Sequence, residues 1–418
     1  MRIAIHTLGC KINQYESELL QLDLAARGNC IVPFDEHADV YVVNTCTVTA
    51  KSDQACRNAI RSAVRRNQIA KVFVTGCYAE TQPEELKKIP GVSAVIGNRF
   101  KETLADQIAG TDASSTPAKP DKSLRTRTRG FLKIQDGCDN RCSYCIVPSA
   151  RGGPKSALPE FIIEEFDQLI RTECPEIVLT GIHIGKYGVD LEQGINLTAI
   201  IRLLLARRGS SRIRISSIEP REVTGEIIGF LGSGLCRHLH IPLQSGDDNI
   251  LASMNRNYTA DFYVHLLESL IKGVPGIAVG SDVMVGYPGE GDTEFQNTVR
   301  LIENVPLTHL HVFSYSPRPG TPAAAMKQQI SEVIKKQRSE LLREIARKKN
   351  YEFRKNQVGC ELQVVVENKL DRTTELMTGI TDNYIRLNII GSKRADIGRI
   401  VNVKIENAEM GLTTAVLI

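Results

Sequence analysis

The stretch Gly137-Cys138-Asp139-Asn140-Arg141-Cys142-Ser143-Tyr144-Cys145 constrains this chain more than any other. Its three cysteines are spaced C-x3-C-x2-C. The turn formers Asp139 and Asn140 place them on a loop that leaves a preceding apolar strand. A zinc site would ask for two cysteine pairs and four ligands, and a ferredoxin run for a fourth cysteine followed by proline. Here Cys145 runs into Ile146-Val147-Pro148 without another thiol. Three thiolates around a four-iron cubane leave one iron open. The spacing therefore points to a centre that binds a small molecule rather than one that only relays electrons.

With 418 residues the chain is long enough for two or three domains, each with its own core. The first residues, Met1 to His6, contain no long apolar run, and no segment is long enough to span a bilayer. A cytoplasmic protein without a membrane partner is expected. Eleven cysteines in a reducing compartment argue for metal ligation rather than disulfides. A net charge of +4 decides nothing about nucleic acid, so the placement of basic residues matters more than their sum.

Three β-branched runs open the chain, at 3–6, 40–43 and 72–74, each followed by a helical stretch. That pattern predicts a parallel α/β sheet over residues 1–108. A cysteine lies just past each run: Cys10 after Thr7-Leu8-Gly9, Cys46 after Asn44-Thr45, Cys77 after Thr75-Gly76. The carboxyl ends of parallel strands share one edge, so cysteines 36 and 31 positions apart can meet there. A second three-thiolate cluster is expected. Cys30, Cys56, Cys174, Cys236 and Cys360 lack such context and read as structural thiols.

Residues 109–130 are poor in large apolar groups and read as a linker, with Arg125 and Arg127 on an edge that nucleic acid could face. From 131 to 354 strand and helix signals alternate, with strands at 131–135, 176–180, 212–217, 238–243, 277–285 and 309–315 and helices such as 159–171, 197–207 and 260–272. Six βα units predict a (βα)6 partial barrel with its chemistry at the carboxyl ends of the strands. Residues 355–418 change to short strands with turn signals. A small antiparallel barrel is expected there, an architecture common in single-stranded nucleic-acid binding.

The cysteine loop, with Tyr144 before its last cysteine, resembles that of the radical S-adenosylmethionine (SAM) superfamily. Thr7-Leu8-Gly9-Cys10-Lys11-Ile12-Asn13-Gln14-Tyr15-Glu16, Asn44-Thr45-Cys46-Thr47-Val48-Thr49 and Val74-Thr75-Gly76-Cys77-Tyr78 resemble the amino-terminal domain of the methylthiotransferases. The segment Gly379-Ile380-Thr381-Asp382-Asn383-Tyr384 looks like part of that family's TRAM domain. The resemblance implies two [4Fe-4S] clusters, one on Cys138, Cys142 and Cys145 that binds and cleaves SAM, the other on Cys10, Cys46 and Cys77 that presents sulfur. It also implies SAM contacts at Tyr144, Gly181, His183, Glu219, Gln244, Phe313 and Tyr315, all but Tyr144 at strand ends. A tRNA anticodon stem-loop would lie on the TRAM barrel near Lys355, Asn383 and Tyr384. An external electron donor and a sulfur donor are the other implied partners.

Ser217-Ile218-Glu219-Pro220-Arg221 and Leu179-Thr180-Gly181-Ile182-His183-Ile184-Gly185 are most similar to the branch acting on N6-threonylcarbamoyladenosine at tRNA position 37. A methylthiotransferase for isopentenyl-adenosine or for a ribosomal-protein aspartate stands as the alternative within the class. A non-catalytic iron-sulfur protein that binds RNA is the alternative outside it.

Overall fold

The structure is a computed structural model that describes residues 1–110, 127–192 and 194–418, so Arg125 lies outside the described residues. Packing divides the chain into two compact units that do not follow its linear order. One takes residues from 1–125, 136–155 and 316–324, the other from 126–135, 156–315 and 325–418.

The first unit is built on a parallel sheet of order β2-β1-β3-β4-β5. Its strands are β1 (Arg2–Thr7), β2 (Cys30–Val32), β3 (Val40–Thr45), β4 (Lys71–Gly76) and β5 (Val92–Ile96). Central β3 is buried along its whole length, as a strand covered on both faces must be. Its alternate residues feed two cores: Tyr41 and Val43 pack with Ile60 and Val74, while Val40 and Val42 pack with Leu24 and Phe73. Helices Lys11–Ala26 and Ala50–Arg66 supply those layers. The second begins at Thr49, whose hydroxyl accepts from the Ser52 amide at 3.1 Å in a capping box.

Six parallel strands form the body of the second unit: β6 (Gly130–Lys133), β9 (Glu176–Thr180), β10 (Arg212–Ile215), β11 (His238–His240), β12 (Ala278–Val285) and β13 (His309–Ser314). Strand labels β7 and β8 go to two-residue pieces at Gln135–Asp136 and Lys155–Ser156. Two three-stranded sheets, β10-β9-β6 and β11-β12-β13, are joined by parallel bridges from Ile213 to Leu235 and from Ser217 to His240. The strand order is thus the chain order, as βα repetition dictates. Helices Pro159–Arg171, Leu197–Arg207 and Ala260–Gly273 fall where periodicity puts them. They bury Phe166, Ile200 and Leu267 in one core with Leu179, Ile215 and Val283.

Residues from 361 onward close a five-stranded barrel of order β14-β15-β16-β18-β17. Its strands are β14 (Glu361–Leu370), β15 (Met377–Thr381), β16 (Arg386–Ile390), β17 (Ile400–Glu409) and β18 (Leu412–Leu417). The barrel is not wholly antiparallel, because β16 and β18 run parallel. An odd ring of strands cannot alternate direction all the way round, so one parallel seam is unavoidable.

That barrel is held to the strands by main-chain acceptors. Arg212 donates to the carbonyls of Gln363 and Ile380 at 3.1 and 2.7 Å, and Arg214 to those of Asp382 and Thr381 at 3.0 and 2.9 Å. Glu176, fully buried on β9, accepts from both guanidiniums at 2.7 and 2.8 Å. One sequence expectation is corrected here. Asn383 is fully buried, its amide donating to the Gly276 carbonyl at 3.1 Å, and the Tyr384 ring stacks on His238 at 4.1 Å with Arg214 over its face. Both side chains serve this docking; it removes Asn383 from an RNA surface, while half-buried Tyr384 still lines a cleft. No described helix is long and apolar enough to cross a membrane.

Candidate active site: two cysteine sets in one unit

Cys10, Cys46 and Cys77 follow the carboxyl ends of β1, β3 and β4, which are neighbours in the sheet. Two glycines let the chain turn there. Gly9 and Gly76 have φ of +101° and +97°, and a Cβ on Gly76 would lie 2.4 Å from the Thr45 carbonyl oxygen. A Cβ on Gly9 would lie 3.0 Å from the Cys46 sulfur, so the first two cysteine turns touch. Burial pushes the Cys46 thiol up, and the nearby Cys77 and Cys10 sulfurs add to that. A cationic iron centre would relieve such crowding, so the donor set fits a three-thiolate cluster.

Cys56 does not complete the set. Its sulfur is committed to the Cys46 backbone, 3.4 Å from both the amide nitrogen and the carbonyl oxygen, and burial raises its thiol to about 12. It braces a ligand instead. Cys30 pairs with Arg2 at the amino-terminal edge of the sheet, opposite the other three.

The loop carrying Cys138, Cys142 and Cys145 belongs to the same unit. The Cys138 amide donates to the Gly152 carbonyl at 2.9 Å, and the Cys145 amide to that of Cys142 at 3.0 Å, closing the loop on itself. Three partly exposed thiols on one tight loop are what a second open cluster requires. Gly137 permits the closure, with φ +69° and its missing Cβ only 1.9 Å from the Gly153 carbonyl oxygen. Gly137→Ala is therefore expected to lose the iron of this loop, about half the total. Iron and sulfide analysis of the purified variant checks it; an unchanged iron count would contradict it.

Beneath the thiols lies a charged network that spacing alone did not reveal. Arg151, with a side chain 2% exposed, donates to Glu16 at 2.9 Å, to both Asp136 oxygens at 3.0 Å and to Asn13 at 2.6 Å. Burial opposes its charge, but Glu16 and Asp136 outweigh that and keep the guanidinium protonated. Lys101 pairs with Glu16 and reaches Asn44 at 3.0 Å, and Asn98 donates to the Cys77 sulfur at 3.6 Å. Asn13 is three residues after Cys10 and Arg151 six after Cys145, so this network ties the two cysteine sets together. The short helices Cys77–Thr81 and Val147–Arg151 also pack on each other. Arg318, from the third segment of the unit, donates to buried Asp53 at 2.7 Å and to the Thr47 carbonyl at 3.0 Å. These partners lie up to 271 positions apart, and no local motif signals them.

Of the residues expected at SAM, Tyr144 stays with its loop and is half-buried. Gly181 follows β9, where a Cβ would meet the Gln135 side-chain oxygen at 3.0 Å. The amide of His183 donates to that same oxygen at 2.8 Å, and its imidazole is 5% exposed and paired with Glu222 at 2.5 Å. Glu219 is ion-paired with Arg256. Gln244 takes a left-handed turn at φ +66°, its amide donating to the Asp282 carbonyl at 2.8 Å. Phe313 is 43% exposed. Tyr315 corrects the expectation: its ring is 2% exposed, wedged between Tyr287 and the Lys335 ammonium, with no open face for an adenine. Arg127 is exposed over the Phe131 ring, and Lys355 is exposed on the last turn of helix Glu332–Lys355.

Comparison with known proteins agrees with this construction. Residues 2–97 match the family described as "Uncharacterized protein family UPF0004", and residues 132–302 match the radical SAM superfamily. The fold is similar to the solved radical SAM methyltransferase TsrM from Kitasatospora setae, with a TM-score of 0.57 at 17% identity, covering 77% of each chain. The chain is 40% identical to "Threonylcarbamoyladenosine tRNA methylthiotransferase MtaB" of Bacillus subtilis, covering 97% of this chain and 94% of that protein. It is 32% identical to "tRNA-2-methylthio-N(6)-dimethylallyladenosine synthase" of Moorella thermoacetica, covering 98% and 96%. A three-cysteine loop and a six-stranded parallel body, in a chain matching the radical SAM superfamily, define a radical SAM enzyme. Within that class, the chain belongs to the tRNA methylthiotransferases of the MtaB type. Its cofactors are SAM and [4Fe-4S] clusters.

Proposed function

We propose that this enzyme converts N6-threonylcarbamoyladenosine at tRNA position 37 to its 2-methylthio derivative, using one cluster on each cysteine set. The observation that carries the two-cluster reading is the meeting of Cys10, Cys46 and Cys77 at one sheet edge, in the same unit as the Cys138 loop. The bond at adenine carbon 2 is too strong and too weakly acidic for a side-chain base, so cofactors must do the breaking. When bound, the clusters and SAM supply the radical that removes the hydrogen and the methylated sulfur that replaces it.

The chain's own residues hold and orient. Cys138, Cys142 and Cys145 would hold the cluster that binds SAM; Gly181, Glu219, Gln244 and Phe313 sit at carboxyl ends of strands, the edge at which parallel sheets bind ligands. Arg151, locked by Glu16 and Asp136, sets the helix of Cys10 against the Cys138 loop. Arg127 and Lys355 are exposed cations that can meet the anticodon stem-loop; contacts of this kind position RNA without reading its sequence. An external donor supplies electrons, and a sulfur donor replenishes the group transferred.

The test is to incubate the reconstituted enzyme anaerobically with SAM, reductant and tRNA bearing either threonylcarbamoyladenosine or isopentenyladenosine, then analyse nucleosides by mass spectrometry. The methylthio derivative is expected on the first substrate. Product on the isopentenyl form alone would reassign the substrate, and absence of 5'-deoxyadenosine would remove the enzyme from its class.

A further inference from the structure

The parallel body carries a polar triad that none of the roles above uses. On β12 the alternate residues Val279, Val283 and Val285 face the helical core, so Gly280, Asp282 and Met284 face the other way. On β13, Val312 joins the core and His309, His311 and Phe313 take the opposite face. Asp282 and His311 are direct neighbours in register. His240 on β11 reaches the same carboxylate: its Nε2 is 2.9 Å from Asp282 Oδ1, and His311 Nδ1 is 3.2 Å from that oxygen. Gly280 makes room, since a Cβ there would lie 2.7 Å from His240 Nδ1.

Two imidazole N–H groups on one carboxylate fix both rings. With Nδ1 donating to Asp282, His311 turns its Nε2 outward, and 62% of its side chain is exposed, against 12% for His240 and 23% for Asp282. It opens onto a cleft of about 710 Å³, lined by His309, Tyr384, Arg343, Arg347 and Arg386. Burial would raise the Asp282 carboxyl, but the hydrogen bonds and charge of the two histidines outweigh it and hold the carboxylate ionised. The cleft thus pairs cationic lining residues with a rigid polar group, His311.

We infer that His311, oriented by Asp282 and His240, accepts at Nε2 a hydrogen bond from the hydroxyl or an amide N–H of the acyl arm on N6 of the target adenosine within this cleft. The inference rests on the substrate reading above and deepens it. A threonylcarbamoyl arm offers a hydroxyl and amide N–H donors to that nitrogen. An isopentenyl arm would cover it with hydrocarbon and leave polar atoms unpaired, a mismatch worth about tenfold to a hundredfold in binding. Arg343, Arg347 and Arg386 attract the RNA backbone whatever the arm, so the triad and not the cleft supplies the choice.

The experiment measures binding of anticodon stem-loops carrying threonylcarbamoyladenosine, isopentenyladenosine or plain adenosine to reconstituted wild type, His311→Gln and Asp282→Asn. Equal iron content and visible spectra are the check on folding. Wild type is expected to prefer the threonylcarbamoyl stem-loop at least about tenfold over plain adenosine. Both variants should lose that preference and keep their affinity for plain adenosine. Retention of the preference, or an equal loss on all three RNAs, would overturn the inference, the latter marking a backbone contact. One zinc ion bound per wild-type chain and lost in Asp282→Asn would overturn it too, by making the triad a metal site. Failure of the substrate reading looks different: wild type would then turn over only the isopentenyl RNA.

Discussion

Replacing Cys10, Cys46 and Cys77 together by alanine is expected to abolish methylthio transfer while 5'-deoxyadenosine still forms from SAM. Iron should fall from about eight to about four per chain. The expectation follows from the separate attachment of the two sets: the Cys138 loop closes through its own backbone hydrogen bonds and Gly137, and needs no thiol from the sheet edge. The matching replacement of Cys138, Cys142 and Cys145 should stop both reactions. Iron analysis, spectroscopy and product counting on the two variants decide the matter. A sheet-edge variant that retained all its iron, or still made methylthio product, would end the two-cluster assignment.

The second large effect is expected at Glu176. It is fully buried and faces Arg212 and Arg214, with Arg129 at 3.3 Å. Glu176→Ala leaves two buried guanidiniums without their counter-charge, a defect that costs about 3–5 kcal/mol. Because those guanidiniums also grip the barrel carbonyls, hydrogen exchange should rise first in residues 361–385. Urea denaturation measures the loss; a change below about 1 kcal/mol would mean the arginines are neutralised elsewhere. Acid should not mimic the variant at mildly low pH. Burial would raise the Glu176 carboxyl, but Arg214 and Arg212 hold it well below the usual carboxylate range. Its stabilisation is therefore complete above the ordinary carboxylate pKa and is lost only as pH falls through the depressed native value.

Features with a local cause were legible in the sequence. The strand-then-cysteine pattern of Cys10, Cys46 and Cys77 and the spacing of the Cys138 loop are written in contiguous residues, as are helices Pro159–Arg171 and Leu197–Arg207. What escaped depends on segments far apart in the chain. Arg151 lies 135 positions from Glu16, and a buried arginine looks the same in sequence as a solvated one. The family resemblance puts Asn383 and Tyr384 at an RNA surface on the small barrel. Only the packing shows Asn383 buried against Gly276 and one face of the Tyr384 ring taken by His238. The ring of Tyr315 fails as an adenine platform for the same reason: strand alternation gives its face but not what covers it. Conversely, the His240, Asp282 and His311 triad draws one residue from each of three strands, so no sequence window contains it.

The attachment of the carboxy-terminal barrel has an evolutionary corollary. Arg212 and Arg214 grip peptide oxygens of residues 363 and 380–382, groups that every amino acid possesses. Mutational drift across much of that module's exterior therefore leaves this mooring untouched. Homologous enzymes can retune which RNAs they greet on the outer wall while the joint underneath stays the same.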